Sequence, residues 1–173
     1  MIGEKIHLRA LEPEDLPLLY AWENDTENWT VSNTTAPFSK HILQQFIETS
    51  SQDIYVNRQL RMMVVENATG RTIGCVDVFE FDPGHQRAGI GILIDESARC
   101  QGYGLESILL AKDYLFNKVG VHQIFCNIME DNKHSISIFQ KAGFEICGRK
   151  REWVRTPKGW IDELMLQTFN TDK

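Results

Sequence analysis

The chain has 173 residues, of which 42% are hydrophobic and 24% charged, and its formal net charge at pH 7 is −6. This length is sufficient for one domain with a sizeable core, and no run approaches the ~18 apolar residues of a membrane-spanning helix. Basic residues do not form a stripe with interleaved aromatic residues, which argues against nucleic-acid binding. We therefore expect a single domain over residues 1–173, with neither a nucleic-acid nor a membrane partner.

The amino terminus and the cysteines both predict a cytoplasmic location. Residues 1–5 lead directly into a strand pattern, without the charged and then apolar segments of a secretory signal. Each of the four cysteines is more than twenty residues from the next, which excludes the close spacing of a zinc or redox site. None of the five histidines has metal-ligand spacing, so we expect no metal.

In the first half of the chain, two helical patterns lie between the first predicted strand and the following three. Pro13 suits the first turn of a helix that continues to about residue 24, and Ser39 can cap a second helix. The polar segment 24–39 is predicted to be a mobile loop. The predicted strands are residues 5–10, 61–66, 72–81 and 87–94, and the last three form an antiparallel meander.

The second half begins with a long helical pattern over about residues 102–118, which ends at Gly120. Residues 123–128 are a strand, Asn132 can cap a short helix ending at Gly143, and the remaining residues form a hairpin. Because a helix connects the two central strands, they are expected to be parallel. We predict an α/β fold with a mixed, mostly antiparallel sheet of about seven strands, flanked by about four helices.

Residues 99–104 form a glycine-punctuated turn between the strand at 87–94 and the long helix. Its two glycines allow a tight turn with exposed amide N–H groups, and the start of the helix adds partial positive charge. This arrangement indicates a pyrophosphate ligand. Since such turns also occur for purely structural reasons, both interpretations remain open at this point.

A second segment makes the interpretation more specific. Residues 132–144 follow the pattern Asn-x-x-Ser-(x)3-Phe-x-Lys-x-Gly-Phe, about thirty residues after the turn. In this order and separation, the two segments resemble the GCN5-related N-acetyltransferases, which move an acetyl group from acetyl-coenzyme A to an amine. The resemblance covers most of the chain, and the chain ends resemble the spermidine/spermine and ribosomal-protein alanine acetyltransferases. It implies a splayed pair of central strands.

The resemblance also implies that acetyl-coenzyme A is a co-substrate. It further implies a set of residues that bind this co-substrate. The implied residues are Ile92, Leu93, Ile94, Arg99, Gln101, Gly102, Tyr103, Gly104, Leu105, Asn127, Asn132, Ser135, Phe139 and Lys141. Relatives often carry a cation at Tyr103, so here the pyrophosphate is expected mainly on amide groups, with Arg99 either assisting or merely solvated. Gly89 and Gly91 fit a close approach of the pantetheine arm, or alternatively a bulge that curves the sheet.

Transfer to an amine requires that two protons be managed. An alkylammonium group with a pKa near ~10 must lose a proton, and a departing thiolate with a pKa of about 8.5 benefits from receiving one. Many relatives use a tyrosine as the acid, and this position is Phe139, which cannot donate a proton. Ser135 is the candidate acid, with water or no group as the alternatives, although its hydroxyl could equally be a helix cap.

Glu80 and Asp77 are the candidates for the base. In a regular strand they have opposite parity, so at most one lines the cleft unless a bulge intervenes. We favour Glu80, although its strand neighbours Val76 and Val78 are apolar. Asn127 falls where some relatives carry a catalytic glutamate, and its amide could hold water but could not act as a base.

These patterns predict an acetyl-coenzyme A-dependent N-acetyltransferase whose acceptor amine attacks the thioester directly. The acceptor could be a polyamine, another small amine or the amino terminus of a protein, and assembly into a homo-oligomer is left open. Polyamine acetyltransferases carry acids in the loop matching residues 30–37 and at Gly89, and this chain has none there. Because Phe139 departs from the family pattern, the alternative is a non-catalytic module that binds or senses coenzyme A.

Overall fold

Seven strands form the centre of the computed structural model, which describes residues 1–32, 34–50 and 53–171. The strands are β1 (Ile6–Ala10), β2 (Leu60–Glu66), β3 (Thr72–Asp82), β4 (Arg87–Ile94), β5 (Gln123–Met129), β6 (Glu145–Thr156) and β7 (Gly159–Phe169). They form a sheet in the order β1-β2-β3-β4-β5-β7-β6. All neighbouring pairs are antiparallel except β4 and β5, so the predicted mixed sheet is confirmed.

Six α-helices accompany the sheet in the described part of the chain. They are α1 (Leu16–Glu23), α2 (Thr26–Ser32), α3 (Lys40–Ser50), α4 (Ile54–Asn57), α5 (Tyr103–Tyr114) and α6 (Lys133–Lys141). A 3-10 turn at Pro13–Asp15 precedes α1, another lies at Glu96–Ala98, and a π-helical turn at Leu115–Val119 extends α5. The two helices beyond the predicted four are α2 and α4, which are too short to show a clear helical period.

Helix α2 lies inside the polar segment 24–39, so the prediction of a loop is wrong for Thr26–Ser32. Its first turn is capped by Asp25, whose carboxylate accepts a hydrogen bond from the Glu27 amide at 3.0 Å. Polar composition did not prevent a helix here because the cap supplies a partner for the first amides. Residue 33 of the same segment lies outside the described residues.

Three helix boundaries agree with the caps expected from the sequence. The Ile42 amide donates to Ser39 Oγ at 3.2 Å, and the Ser135 amide donates to Asn132 Oδ1 at 3.1 Å. Gly120, with φ 81°, ends the extended α5 in the left-handed conformation. These caps are local interactions, which is why short sequence patterns reveal them.

The sheet separates two apolar layers. On one side, which we call the α5 face, Ile108 of α5 and Phe139 of α6 pack with Ile90 of β4 in one core. On the other side, the α1 face, Leu19 of α1 and Leu43 of α3 belong to a smaller core. Since side chains alternate along a strand, neighbouring residues of β4 and β5 serve opposite faces.

Strands β4 and β5 diverge along their length. They pair only where Arg87–Gly89 lies beside Gln123–Phe125. Beyond this point β4 stays paired to β3 as far as Ile94, and β5 stays paired to β7 as far as Met129. The central strands are therefore splayed as expected, and the gap opens toward their carboxyl ends.

Candidate active site

The gap between β4 and β5 lies beside the start of α5. A Cβ atom built on Gly104, in the first turn of α5, would lie 3.4 Å from Ile92 Cδ1 and 3.3 Å from Ile138 Cδ1. The fold thus brings three candidate elements together, namely the free part of β4, the glycine loop and α6. A Cβ at position 104 would already touch both side chains, so there is little room for a larger residue between α5, α6 and β4.

The loop before α5 leaves the first amide groups of the helix without a hydrogen-bond partner among the described residues. Cys100 and Gly102 both have positive φ, at 62° and 89°, and Gly102 is the N-cap of α5. Gly102 has no side chain to accept from the first turn, and the first helical bond runs from the Glu106 amide to the Gly102 carbonyl at 3.2 Å. The amides of residues 103–105 therefore lie at the positive end of the helix dipole, where an anion is favoured.

The side chain of Tyr103 turns away from this loop into the core of the α5 face, where it is only 7% exposed. Its hydroxyl donates to the Glu66 carboxylate, and this hydrogen bond is the main reason that the pKa of Tyr103 is raised. Tyr103 can therefore offer an anion its main-chain amide but not its side chain. A cation at this position is not required for the turn to form.

Lys5 is a cation at the loop that sequence reasoning missed. Its Nζ donates to the Gln101 carbonyl at 3.2 Å and lies 3.6 Å from the point where a Cβ of Gly102 would be. The two residues are 96 positions apart, so no local pattern could connect them. Arg99, the cation expected from the sequence, donates from Nε to the Ile94 carbonyl at 3.1 Å, at the end of β4.

The α6 candidates have different environments. Asn132 caps the helix, and Ser135 is partly buried with a hydroxyl that bonds to no side chain or carbonyl within the described ranges. Phe139 is 3% exposed and packs edge-on against Phe144, with ring centroids 5.1 Å apart. Phe139 is therefore a core residue, whereas Lys141 is exposed in the last turn.

A β-bulge places Glu80 at an open cleft. The β3–β4 register shifts between Phe79 and Asp82, and Glu80 adopts φ 49°. A left-handed glutamate costs roughly 1–2 kcal/mol, so the surrounding pairing must impose it. The bulge also frees Glu80 from the valine neighbours expected in a regular strand. No hydrogen bond or ion pair joins its carboxylate to another described residue.

Asp77, by contrast, is fully engaged. Arg61 holds it in a bidentate pair, with Nε–Oδ1 at 2.5 Å and a second bond to Oδ2 at 2.8 Å, and also pairs with Glu23 at 2.5 Å. Burial alone would lower the pKa of Arg61, but the two carboxylates raise it well above its ordinary value. Both carboxylate oxygens of Asp77 are thus held by a permanent cation of the protein.

The cleft that Glu80 lines has a volume of about 820 Å³. Phe125 and Asn127 of β5 line it too, and since Cys126 between them belongs to the core of the α5 face, the cleft lies on the α1 face. Asn127 Oδ1 accepts from Lys150 Nζ at 3.3 Å. The splayed gap therefore lies between the glycine loop on one face and a polar cleft on the other.

The two glycines of β4 have different explanations. A Cβ on Gly89 would lie 2.3 Å from the ring of Phe79, so packing alone requires glycine there. Phe79 in turn packs edge-on against Phe125. A Cβ on Gly91 would meet only an ordinary contact at 3.8 Å, so packing does not dictate that glycine. Of the two glycines, only Gly91 remains a candidate for a close approach of the pantetheine arm.

The described residues contain no group of three or more His, Cys, Asp or Glu side chains placed to hold a metal ion. None of their helices is both long and apolar enough to traverse a bilayer.

Comparison with known proteins gives three findings. The acetyltransferase (GNAT) domain matches residues 5–145. The probable N-acetyltransferase YjcK of Bacillus subtilis is 33% identical, over 98% of this chain and 97% of the relative. The spermidine N(1)-acetyltransferase of Escherichia coli K12 is 25% identical, over 84% of this chain and 76% of that protein.

Among solved structures, the spermidine N-acetyltransferase of Vibrio cholerae in complex with CoA and spermine has the same fold. Its TM-score is 0.87, and the match covers 96% of both chains. At 22% sequence identity, this likeness concerns the fold alone.

Proposed function

The chain belongs to the acetyltransferase (GNAT) family, and from this we propose that it transfers the acetyl group of acetyl-coenzyme A to a primary amine. One observation carries the proposal: the splayed β4–β5 gap opens beside a glycine loop, and the first amides of α5 that follow it have no partner among the described residues. A long donor with a diphosphate at one end and a thioester at the other fits this arrangement. We also propose that residues 1–173 form one catalytic domain, since strands from both chain ends share the sheet.

The diphosphate of the donor would bind the amides of residues 103–105, at the positive end of α5. Lys5 lies beside them and would add a charge-assisted contact. The pantetheine arm would enter the gap, where the edge of β4 facing β5 has main-chain groups without a strand partner beyond Gly89. Ile92, Leu93 and Ile94 would supply these groups, as expected from the resemblance. The thioester would then reach the α1 face.

The acceptor amine would approach from the cleft on the α1 face. Glu80, which is unpaired there, would take the proton that the ammonium form must lose, directly or through a water held by Asn127. The neutral amine then attacks the thioester carbon, so that the new C–N bond replaces the C–S bond. The departing thiolate would take a proton from Ser135 or from water, which in turn would receive the second proton that the nitrogen loses as the amide forms.

Phe139 does not prevent this reaction. Aligning an amine on a thioester supplies several kcal/mol of the barrier, and a main-chain donor to the oxyanion adds about 3. A missing acid therefore lowers the rate without abolishing it. The burial of Phe139 does motivate the second candidate, a module that binds coenzyme A without turnover, because no proton donor stands at that position.

The two candidates are separated by incubating the protein with acetyl-coenzyme A and a panel of amines while free thiol is monitored. We expect thiol release above the hydrolysis blank with at least one amine, and a mass increase of that amine by one acetyl group. Tight coenzyme binding without release over the whole panel would contradict the proposal and favour the sensing module.

A further inference from the structure

The charged side chains that line the cleft indicate which class of amine the acceptor belongs to. Resting on the function proposed above, we propose that the acceptor is a zwitterionic amine, in which a carboxylate or a similar anion lies close to the reacting amino group. Arg58 would bind the anion, and Glu80 would face the amine. The class includes amino acids and excludes polyamines.

Most charges at the cleft are already paired within the protein. Arg87 meets Asp82 at 3.3 Å, and Lys150 meets the buried Glu163 at 2.7 Å. Lys150 also donates to Asn127. These groups have protein partners, so they contribute little net charge for a ligand to neutralise.

Arg58 and Glu80 are the exceptions among the charged residues described at this cleft. Their main chains are adjacent, because the Phe81 amide donates to the Arg58 carbonyl at 3.1 Å. Both residues are exposed and left-handed, with φ 58° and 49°. Despite opposite charges they are not paired with each other, and the Arg58 guanidinium bonds to no other described group. The backbone thus holds a cation and an anion side by side, each free for a ligand.

A polyamine would fit this arrangement poorly. It brings several positive charges and no negative one, so Arg58 would remain unpaired and would repel it. A carboxylate would instead accept two parallel hydrogen bonds from the guanidinium, the strongest form of this contact. The same carboxylate would orient the amine toward Glu80. Phe125 and Met165 also line the cleft and offer apolar contact to the rest of such a molecule.

The test compares substrates that differ only in the anion. Each common amino acid is assayed beside its amide with acetyl-coenzyme A, and spermidine and putrescine are included. We expect the best acceptor to be an amino acid whose kcat/KM exceeds that of its amide by about tenfold or more, the effect of losing one charged hydrogen-bonded pair. The amide has the less basic amino group, so easier deprotonation cannot produce this preference.

Two substitutions then assign the preference to Arg58. Arg58→Gln should bring the ratio of acid to amide close to one, and Arg58→Lys, at the same left-handed position, should keep it above one. Thermal unfolding of both variants verifies that they fold. An amide or a polyamine as the best acceptor, or an unchanged ratio in Arg58→Gln, would overturn this inference and leave the acetyltransferase proposal intact. Coenzyme binding with no transfer to any member of this set or of the wider amine panel would overturn both.

Discussion

On the α5 face, two helices seal the sheet with apolar side chains, and what remains for a ligand is main chain at the start of α5. On the α1 face, an ion network around Arg61 lies beside a cleft lined by individually placed polar side chains. A site made of main-chain groups tolerates sequence change: the Tyr103 side chain is buried, but its main-chain amide stays at the loop. A site made of side chains does not tolerate such change. Such a division would let substitutions in the cleft alter the acceptor without altering the site for the donor.

The largest expected effect is a loss of turnover on the α1 face without a loss of coenzyme binding on the α5 face. Glu80→Gln should lower kcat by about 100-fold, since it removes a base from the α1 face, while the dissociation constant of coenzyme A stays the same. Thiol release and calorimetry measure the two quantities. Glu152→Gln is a matched control, because Glu152 is also an exposed left-handed glutamate, with φ 47°, but lies on β6 outside the cleft. Unchanged turnover in Glu80→Gln would remove this residue from the mechanism.

The next effect concerns the ion network of the α1 face. Arg61→Ala leaves Asp77 and Glu23 close together without their cation, and should lower the free energy of unfolding by about 2–3 kcal/mol. This is less than for a fully buried pair, because the Asp77 side chain is 36% exposed. Urea unfolding measures it, with the exposed Arg155→Ala as the control. A loss below ~0.5 kcal/mol would mean that the network is only a surface feature.

A smaller effect on the same face is the contribution of Asp15 to the free energy of unfolding, which depends on pH. Burial alone would raise the pKa of Asp15, but hydrogen bonds from Arg9, at 2.7 and 2.8 Å, and from the Glu12 amide lower it. A carboxylate with a lowered folded pKa stabilises the fold above its unfolded pKa, near ~3.9, and this stabilisation is lost as the pH falls through the folded value.

Asp15→Asn should therefore cost about 1–2 kcal/mol at neutral pH, and the difference from the unsubstituted protein should shrink below about pH 4. Urea unfolding at a series of pH values measures this difference. A difference that stays constant over the whole acidic range would show that the charge of Asp15 is not what matters.

The smallest effect probes the α5 face. Lys5→Met should raise the dissociation constant of coenzyme A by about 5- to 10-fold at low salt and less at high salt, because it removes one cation from an otherwise main-chain site. Calorimetry measures it, with the exposed Lys158→Met as the control. An acetyl donor that ends at pantetheine lacks the phosphates and should not distinguish the variant. Equal sensitivity of that donor would assign Lys5 a structural role.

Local features account for what the sequence could predict. The cap residues Ser39 and Asn132, the terminating Gly120 and the alternation of the strands act over a few residues, and each lies where it was expected. The glycine loop belongs to this group, because its conformation depends on its own residues. Much of the fold and the position of the glycine loop could therefore be inferred before any coordinates.

The acceptor side was harder to predict for a physical reason. The bulge at Glu80 adds one residue to β3 relative to β4, and parity arguments assume that no such residue exists. The bidentate pair between Arg61 and Asp77 depends on the register of β2 with β3. Lys5 reaches the loop across 96 positions of sequence. Each of these contacts is set by strand pairing, which no short pattern encodes.

A crystal structure with bound coenzyme A tests the central claim most directly. The account predicts the diphosphate on the amides of residues 103–105, Lys5 Nζ within reach of a phosphate oxygen, and the pantetheine arm between β4 and β5 with its sulfur toward Glu80. Coenzyme A bound elsewhere on the sheet, or a gap that stays empty while the coenzyme is bound, would contradict it.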